Sequence, residues 1–184
     1  MKHLIFLAAA LLPISVVADE FYKGENLITP YEIDPEQWET LTKVEGSFRS
    51  MLFKSRGKGM ADAYVINIQG GKKSKLTEER ERQDAPGKKK CLSFETIDLD
   101  SISNQNYDSL IWRTECTAQD DSKVQMLQLL IKGKDSTYHL QKIWRGLVAD
   151  DERNSWIEMF NKVYVCDTRV ASKTCPKDYK KVKN

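Results

Sequence analysis

The sequence predicts an α+β fold. In it a single domain holds roughly five antiparallel strands in a meander sheet, packed with an N-terminal and a C-terminal helix and braced by two disulfides. Three observations predict it. Runs rich in β-branched and aromatic residues fill the middle of the chain, and short turns join them, which favours antiparallel neighbours. Apolar residues recur at spacings of three and four near both ends, as amphipathic helices require. The cysteines number four, an even count that suits pairing in an oxidising compartment.

The first element is an export signal over residues 1–18. Lys2 precedes the apolar run 4–12, Pro13 breaks it, and Val16-Val17-Ala18 stand at the cleavage position. Cleavage after Ala18 leaves 166 of the 184 residues and removes one charge, so 28 basic side chains face 27 acidic ones. A chain of that size can bury one proper core, and its near-neutral balance excludes a general nucleic-acid binder. No later stretch approaches the ~20 apolar residues that a membrane span needs. The leader is short, no cysteine lies near its end, and no Asn-x-Ser/Thr acceptor occurs anywhere. Together these point to a bacterial, periplasmic protein without a lipid anchor, secretion to the medium being the alternative.

Residues 19–33 read as an extended lead-in and residues 34–166 as the domain. Asp34-Pro35 is a helix start, with Asp at the N-cap and Pro at the first helical position. Trp38, Leu41, Val44, Phe48 and Met51 then form a helical stripe, and the helix is expected to run to about Phe53. Gly46 interrupts the stripe. The competing reading ends the helix at Glu45, begins a strand at Ser47 and turns at Gly57-Lys58-Gly59. Residues 61–69 follow as a strand. Residues 70–90 hold eight Lys or Arg and four Asp or Glu, the composition of a solvated loop. Strands are expected at 91–99, 108–116, 124–132 and 137–145, the last two joined by the hairpin signal Gly133-Lys134-Asp135-Ser136. Asp150 or Asp151 caps a second helix that carries Trp156, Ile157, Phe160 and Val163 on one side. A curved sheet wrapping a helix satisfies this order of elements. Residues 167–184 form a basic tail.

The cysteines are expected to pair as Cys91–Cys116 and Cys166–Cys175. For the first pair, a hairpin that sets Leu99 opposite Asp108 also sets Cys91 opposite Cys116, near enough to bridge. The second pair closes a short loop and pins the tail. A metal reading fits poorly: no Cys-x-x-Cys occurs, and His139 is the one histidine beyond the leader.

Familiar catalytic chemistry finds little support. His139 lies inside a strand, the thiols are committed to disulfides, and neither a Gly-x-Ser-x-Gly elbow nor a phosphate-binding glycine loop occurs. No catalytic residue, metal or cofactor is expected. Paired carboxylates can hydrolyse glycosides without histidine. Here Asp98/Asp100, Asp120/Asp121 and Asp150/Asp151/Glu152 instead suit a strand end, a turn and a helix start.

An internal echo is more informative. Ile111-Trp112-Arg113 recurs as Ile143-Trp144-Arg145 on strands that flank residues 124–132, so that both Trp side chains can share one face and both Arg the other, depending on register. A face presenting Ile111, Ile143, Leu127 and Leu129 beside Arg113, Arg145 and His139 is the expected protein-binding surface. The expected function is therefore an exported, non-enzymatic protein that recognises a protein partner in the envelope, as an inhibitor, immunity factor or assembly accessory does. A carrier is the alternative, with Trp38, Phe48, Trp112, Met126 and Trp144 lining an apolar pocket. A carboxylate-based hydrolase is the second alternative. Lys72, Lys73, Lys88, Lys89 and Lys90 offer weak contact with anionic surfaces.

Overall fold

A computed structural model describes residues 24–71, 74–99 and 106–176. The expected export signal over residues 1–18, residues 19–23, Lys72, Lys73, residues 100–105 with Asp100, and residues 177–184 lie outside them. The strands are β1 (Glu25–Ile28), β2 (Trp38–Glu45), β3 (Phe48–Ser55), β4 (Gly59–Gly70), β5 (Ser93–Leu99), β6 (Ser109–Thr117), β7 (Lys123–Lys132), β8 (Ser136–Arg145) and β9 (Tyr164–Asp167). The helices are α1 (Leu76–Lys90), between β4 and β5, and α2 (Asp150–Asn161), between β8 and β9. Seven strands form one antiparallel sheet in the order β2-β3-β4-β8-β7-β6-β5, and β1 pairs with β9 in a separate ribbon. The α+β class, the single domain, the meander of β5 to β8 and the C-terminal helix agree with the sequence reading. The sheet has seven strands rather than about five.

The expected N-terminal helix is two strands. Asp34 does begin a helix-like turn: its carboxylate accepts the Glu36 N–H at 2.8 Å, and its carbonyl accepts from Gln37 and Trp38. That turn ends at Trp38. Thr40, Thr42 and Val44 then recur with period two, and β-branched side chains fit a pleated strand better than a helix. Gly46 (φ 55°) occupies the first central position of the tight turn between Glu45 and Phe48, where a non-glycine residue is strained. The helical stripe had drawn from both faces: Trp38, Val44 and Met51 project from the inner one, whereas Leu41 and Phe48 project from the outer one.

The expected solvated loop at 70–90 is α1. Its residues Glu, Arg, Gln and Lys have good helix propensity, and ion pairs at helical spacing reinforce it, Arg82 to Glu79 at 2.9 Å and Arg80 to Asp84 at 3.6 Å. The helix lacks an apolar stripe because its buried contacts are made by Glu79 and Asp84. Lys88, Lys89 and Lys90 are exposed in its last turn, where they complement the dipole.

Both expected disulfides are present, Cys91–Cys116 and Cys166–Cys175, with Cα separations of 5.6 and 5.0 Å. The expected hairpin register is not. Leu99 pairs with Ile111 and Phe94 with Cys116, a shift of three positions along β6 from the register that set Leu99 opposite Asp108. Cys91 is the C-cap of α1 rather than a strand residue, so the bridge ties a helix end to β6.

The apolar core lies on one face of the large sheet, here called the inner face. Met51, Phe53, Tyr64, Ile66, Ile68, Ile111, Leu127, Leu129, Ile131, Tyr138, Leu140 and Trp144 project from it. Phe160 of α2, Leu27 of β1 and Val163 and Val165 at β9 complete it. The other, outer face carries α1.

Candidate binding surface

Loop lengths decide which residues share a face. Five residues separate the paired Thr117 and Lys123, and four separate the paired Lys132 and Thr137. An odd loop followed by an even one changes the parity of the register between β6 and β8. Trp112 lines up with Gln128 and Gln141, so it belongs with the odd residues of β8, while Trp144 belongs to the even set. The two Trp side chains therefore project from opposite faces, as do Arg113 and Arg145.

The expected binding residues divide accordingly. Ile111, Leu127, Leu129 and Arg113 project from the inner face, and the three apolar ones are core. Arg113 lies near the rim, with Glu115 3.3 Å away. His139, Ile143 and Arg145 project from the outer face. The alternative pocket residues divide too, Trp38 and Trp144 inward, Phe48, Trp112 and Met126 outward. The carboxylate groups stand on separate elements. Asp98 is in the edge strand β5, where Arg80 bridges it. Asp120 accepts from Ser122 within the β6–β7 turn. Asp150, Asp151 and Glu152 form the first turn of α2, preceded by Ala149 as N-cap. Among the described residues no group of three or more His, Cys, Asp or Glu is placed to bind a metal.

Under α1 the outer face is closed, and polar groups lie among its buried side chains. The Trp112 indole donates to Asp84 at 3.1 Å, and the Arg80 guanidinium lies 5.5 Å from the same ring. His139 stacks parallel to Trp112 with 6.0 Å between ring centres, and its Nε2 is 3.0 Å from Gln128 Oε1. Burial pushes the imidazole down to about 4, against the opposing pull of the Glu79 carboxylate, so the ring is neutral at pH 7. Gly87 lets the helix settle on the sheet: a Cβ there would collide with the Phe94 ring.

Beside α1 the outer face is open. Leu41, Leu52 and Val65 pair directly across β2, β3 and β4 and form an apolar row. Leu41 is exposed, and Leu52, Val65 and the neighbouring Ile143 are partly exposed. Charged groups border the row: Glu39 with Lys54 at 3.0 Å, Lys43 with Glu45 at 2.7 Å, and the exposed Arg145. Of the expected residues, Ile143 and Arg145 reach this surface. The sequence reading missed Leu41 and Leu52 because it placed them in a helix, which left Val65, in the expected strand 61–69, without those two residues beside it.

It also missed Lys142, which among the described residues is the one lysine buried to 1% exposure. Its ammonium lies 4.9, 5.3 and 4.6 Å from the rings of Trp38, Trp144 and Trp156, and it donates to Asp62. Burial pushes its pKa down, and the Asp62 carboxylate opposes the shift. The signal was available: Lys142 falls in phase with Leu140 and Trp144 on the apolar side of its strand. No family model and no curated protein matches this chain.

Proposed function

We propose that this protein is an exported, periplasmic, non-enzymatic binding protein that recognises a protein partner of the cell envelope through the open half of the outer face. The observation that carries the reading is the Leu41–Leu52–Val65 row, left uncovered beside α1 and bordered by charges of both signs. Contiguous apolar surface with a polar rim is the usual anatomy of a protein-binding site. Two disulfides suit an oxidising compartment, and among the described residues no helix is long and apolar enough to cross a membrane. A rigid sheet face presents its side chains without a large ordering cost, which favours recognition of a folded partner of the inhibitor, immunity or assembly-accessory type.

Site-specific photo-crosslinking tests it. A photoreactive residue at Leu52 or Val65 should yield a discrete adduct with one envelope protein. The same group at Met60, which is exposed outside the row, should not. Absence of a discrete adduct from Leu52, Val65 and Ile143 alike overturns the reading.

A further inference from the structure

The large sheet ends in two edge strands, β2 and β5, and the two differ in what they offer another chain. In β5 the charges are Glu95 and Asp98, and the strand carries no basic residue. In β2 every residue from Thr40 to Glu45 is exposed, and Glu39, Lys43 and Glu45 share the outer side with Leu41. Edge strands of soluble proteins normally carry features that prevent pairing, and a long exposed edge is a template for another strand.

We propose that β2 is a dimerisation edge, with two copies of this chain pairing their β2 strands antiparallel about a two-fold axis at Leu41. Such an axis keeps each face on its own side, so paired positions must add to an even constant. With Leu41 on the axis, Glu39 stands opposite Lys43 of the second copy, Thr40 opposite Thr42, and Val44 opposite Trp38. The charge pair occurs twice by symmetry. Neighbouring registers lack this match. An axis at Thr42 sets Glu39 against Glu45, one at Lys43 sets that lysine on itself, and one at Thr40 leaves Glu39 against Leu41. The pairing also places Leu41 against its own copy. The Val65–Leu52–Leu41 row of one sheet then continues into Leu41–Leu52–Val65 of the other. Each Glu39 lies between Lys54 of its own chain, 3.0 Å away, and Lys43 of its neighbour. The Lys43–Glu45 contact that the dimer would replace joins two side chains each 69% exposed, and such pairs hold weakly. Backbone hydrogen bonds along β2 supply the rest of the association, as in strand addition generally.

The oligomeric state of the purified full chain, followed by sedimentation over a wide concentration range, tests the proposal. The unaltered protein should show a monomer–dimer equilibrium. Glu39→Lys and Lys43→Glu should each weaken it by about tenfold or more, since each sets like charges opposite one another twice. Mixing those two variants should restore dimer as a heterodimer, because the first then presents only lysine at the two paired positions and the second only glutamate. That rescue also shows that both variants are folded. A monomer at every concentration overturns the proposal, as do variants that dimerise like the parent or a mixture that stays monomeric. The inference stands apart from envelope binding: a dimer that crosslinks to no partner leaves it intact, and a monomer that does crosslink removes it alone.

Discussion

The lysine and the histidine buried on the two faces of the large sheet are accommodated by opposite strategies. On the inner face a charge is kept. Lys142 is enclosed by three tryptophans and neutralised by Asp62, beside a large apolar cluster. On the outer face the imidazole gives its charge up, beside carboxylates that keep theirs in ion pairs with Arg80 and Arg82. His139 is held neutral between Trp112 and Gln128, beneath a helix whose buried contacts are Glu79 and Asp84. A carboxylate at bonding distance can hold an ammonium in the interior, whereas an imidazole with only an amide at hand loses its proton. The inner layer thus holds a buried ion pair against its apolar cluster, and the outer layer holds a neutral imidazole whose burial depends on pH.

Breaking the inner arrangement should cost most. Lys142→Met leaves the Asp62 carboxylate without its buried partner, and urea unfolding should report a loss of about 3 kcal/mol. Pairing it with Asp62→Leu should recover most of that loss. A double variant no more stable than the single would show that the ion pair is not what the site requires.

Acid should act through the outer face. The His139 pKa is about 4 in the folded protein against 6.5 for the unperturbed side chain. The unfolded chain therefore binds the proton first, and this contribution to stability is complete above pH 6.5 and lost as pH falls towards 4. The full loss is about 3 kcal/mol. His139→Phe should flatten the stability profile across that window. A profile of unchanged slope would remove His139 as its cause.

A smaller effect separates the two helices. Asp84→Ala leaves the buried Trp112 indole N–H without its acceptor, at a cost of about 1–2 kcal/mol. Amide exchange should quicken in α1 while α2, packed on the apolar core, keeps its protection. Equal acceleration in both helices would mean that the two faces unfold as one unit.

Several features are legible in the sequence. Strands β4, β6, β7 and β8 and helix α2 follow from β-branched runs and a helical stripe at Trp156, Ile157 and Phe160, and the parity of four cysteines agrees with two disulfides. The first hairpin misleads because Trp38, Leu41, Val44, Phe48 and Met51 fit a helical period by drawing on two faces of two strands. Helix α1 escapes notice because its anchors are Asp84 and Glu79, and a search for apolar periodicity does not register carboxylates as core. The correct Cys91–Cys116 pair came with the wrong register, since a bridge from a helix cap reaches a strand end as readily as one within a ladder.

The candidate surface depends on more than local pattern. The repeated Ile-Trp-Arg motif identifies the two strands that flank β7, but not the face that each side chain takes. That is decided by five residues in one turn and four in the next, whose combined parity sends Trp112 outward and Trp144 inward. Composition and periodicity are local properties, so the sequence alone determined the α+β class, the central strands and an even cysteine count that lets every thiol pair. Register, the docking of α1 and the open row beside it are relations between distant segments. Only the tertiary structure decided them, because a side chain's face is set by pairing that its own neighbours in sequence do not specify.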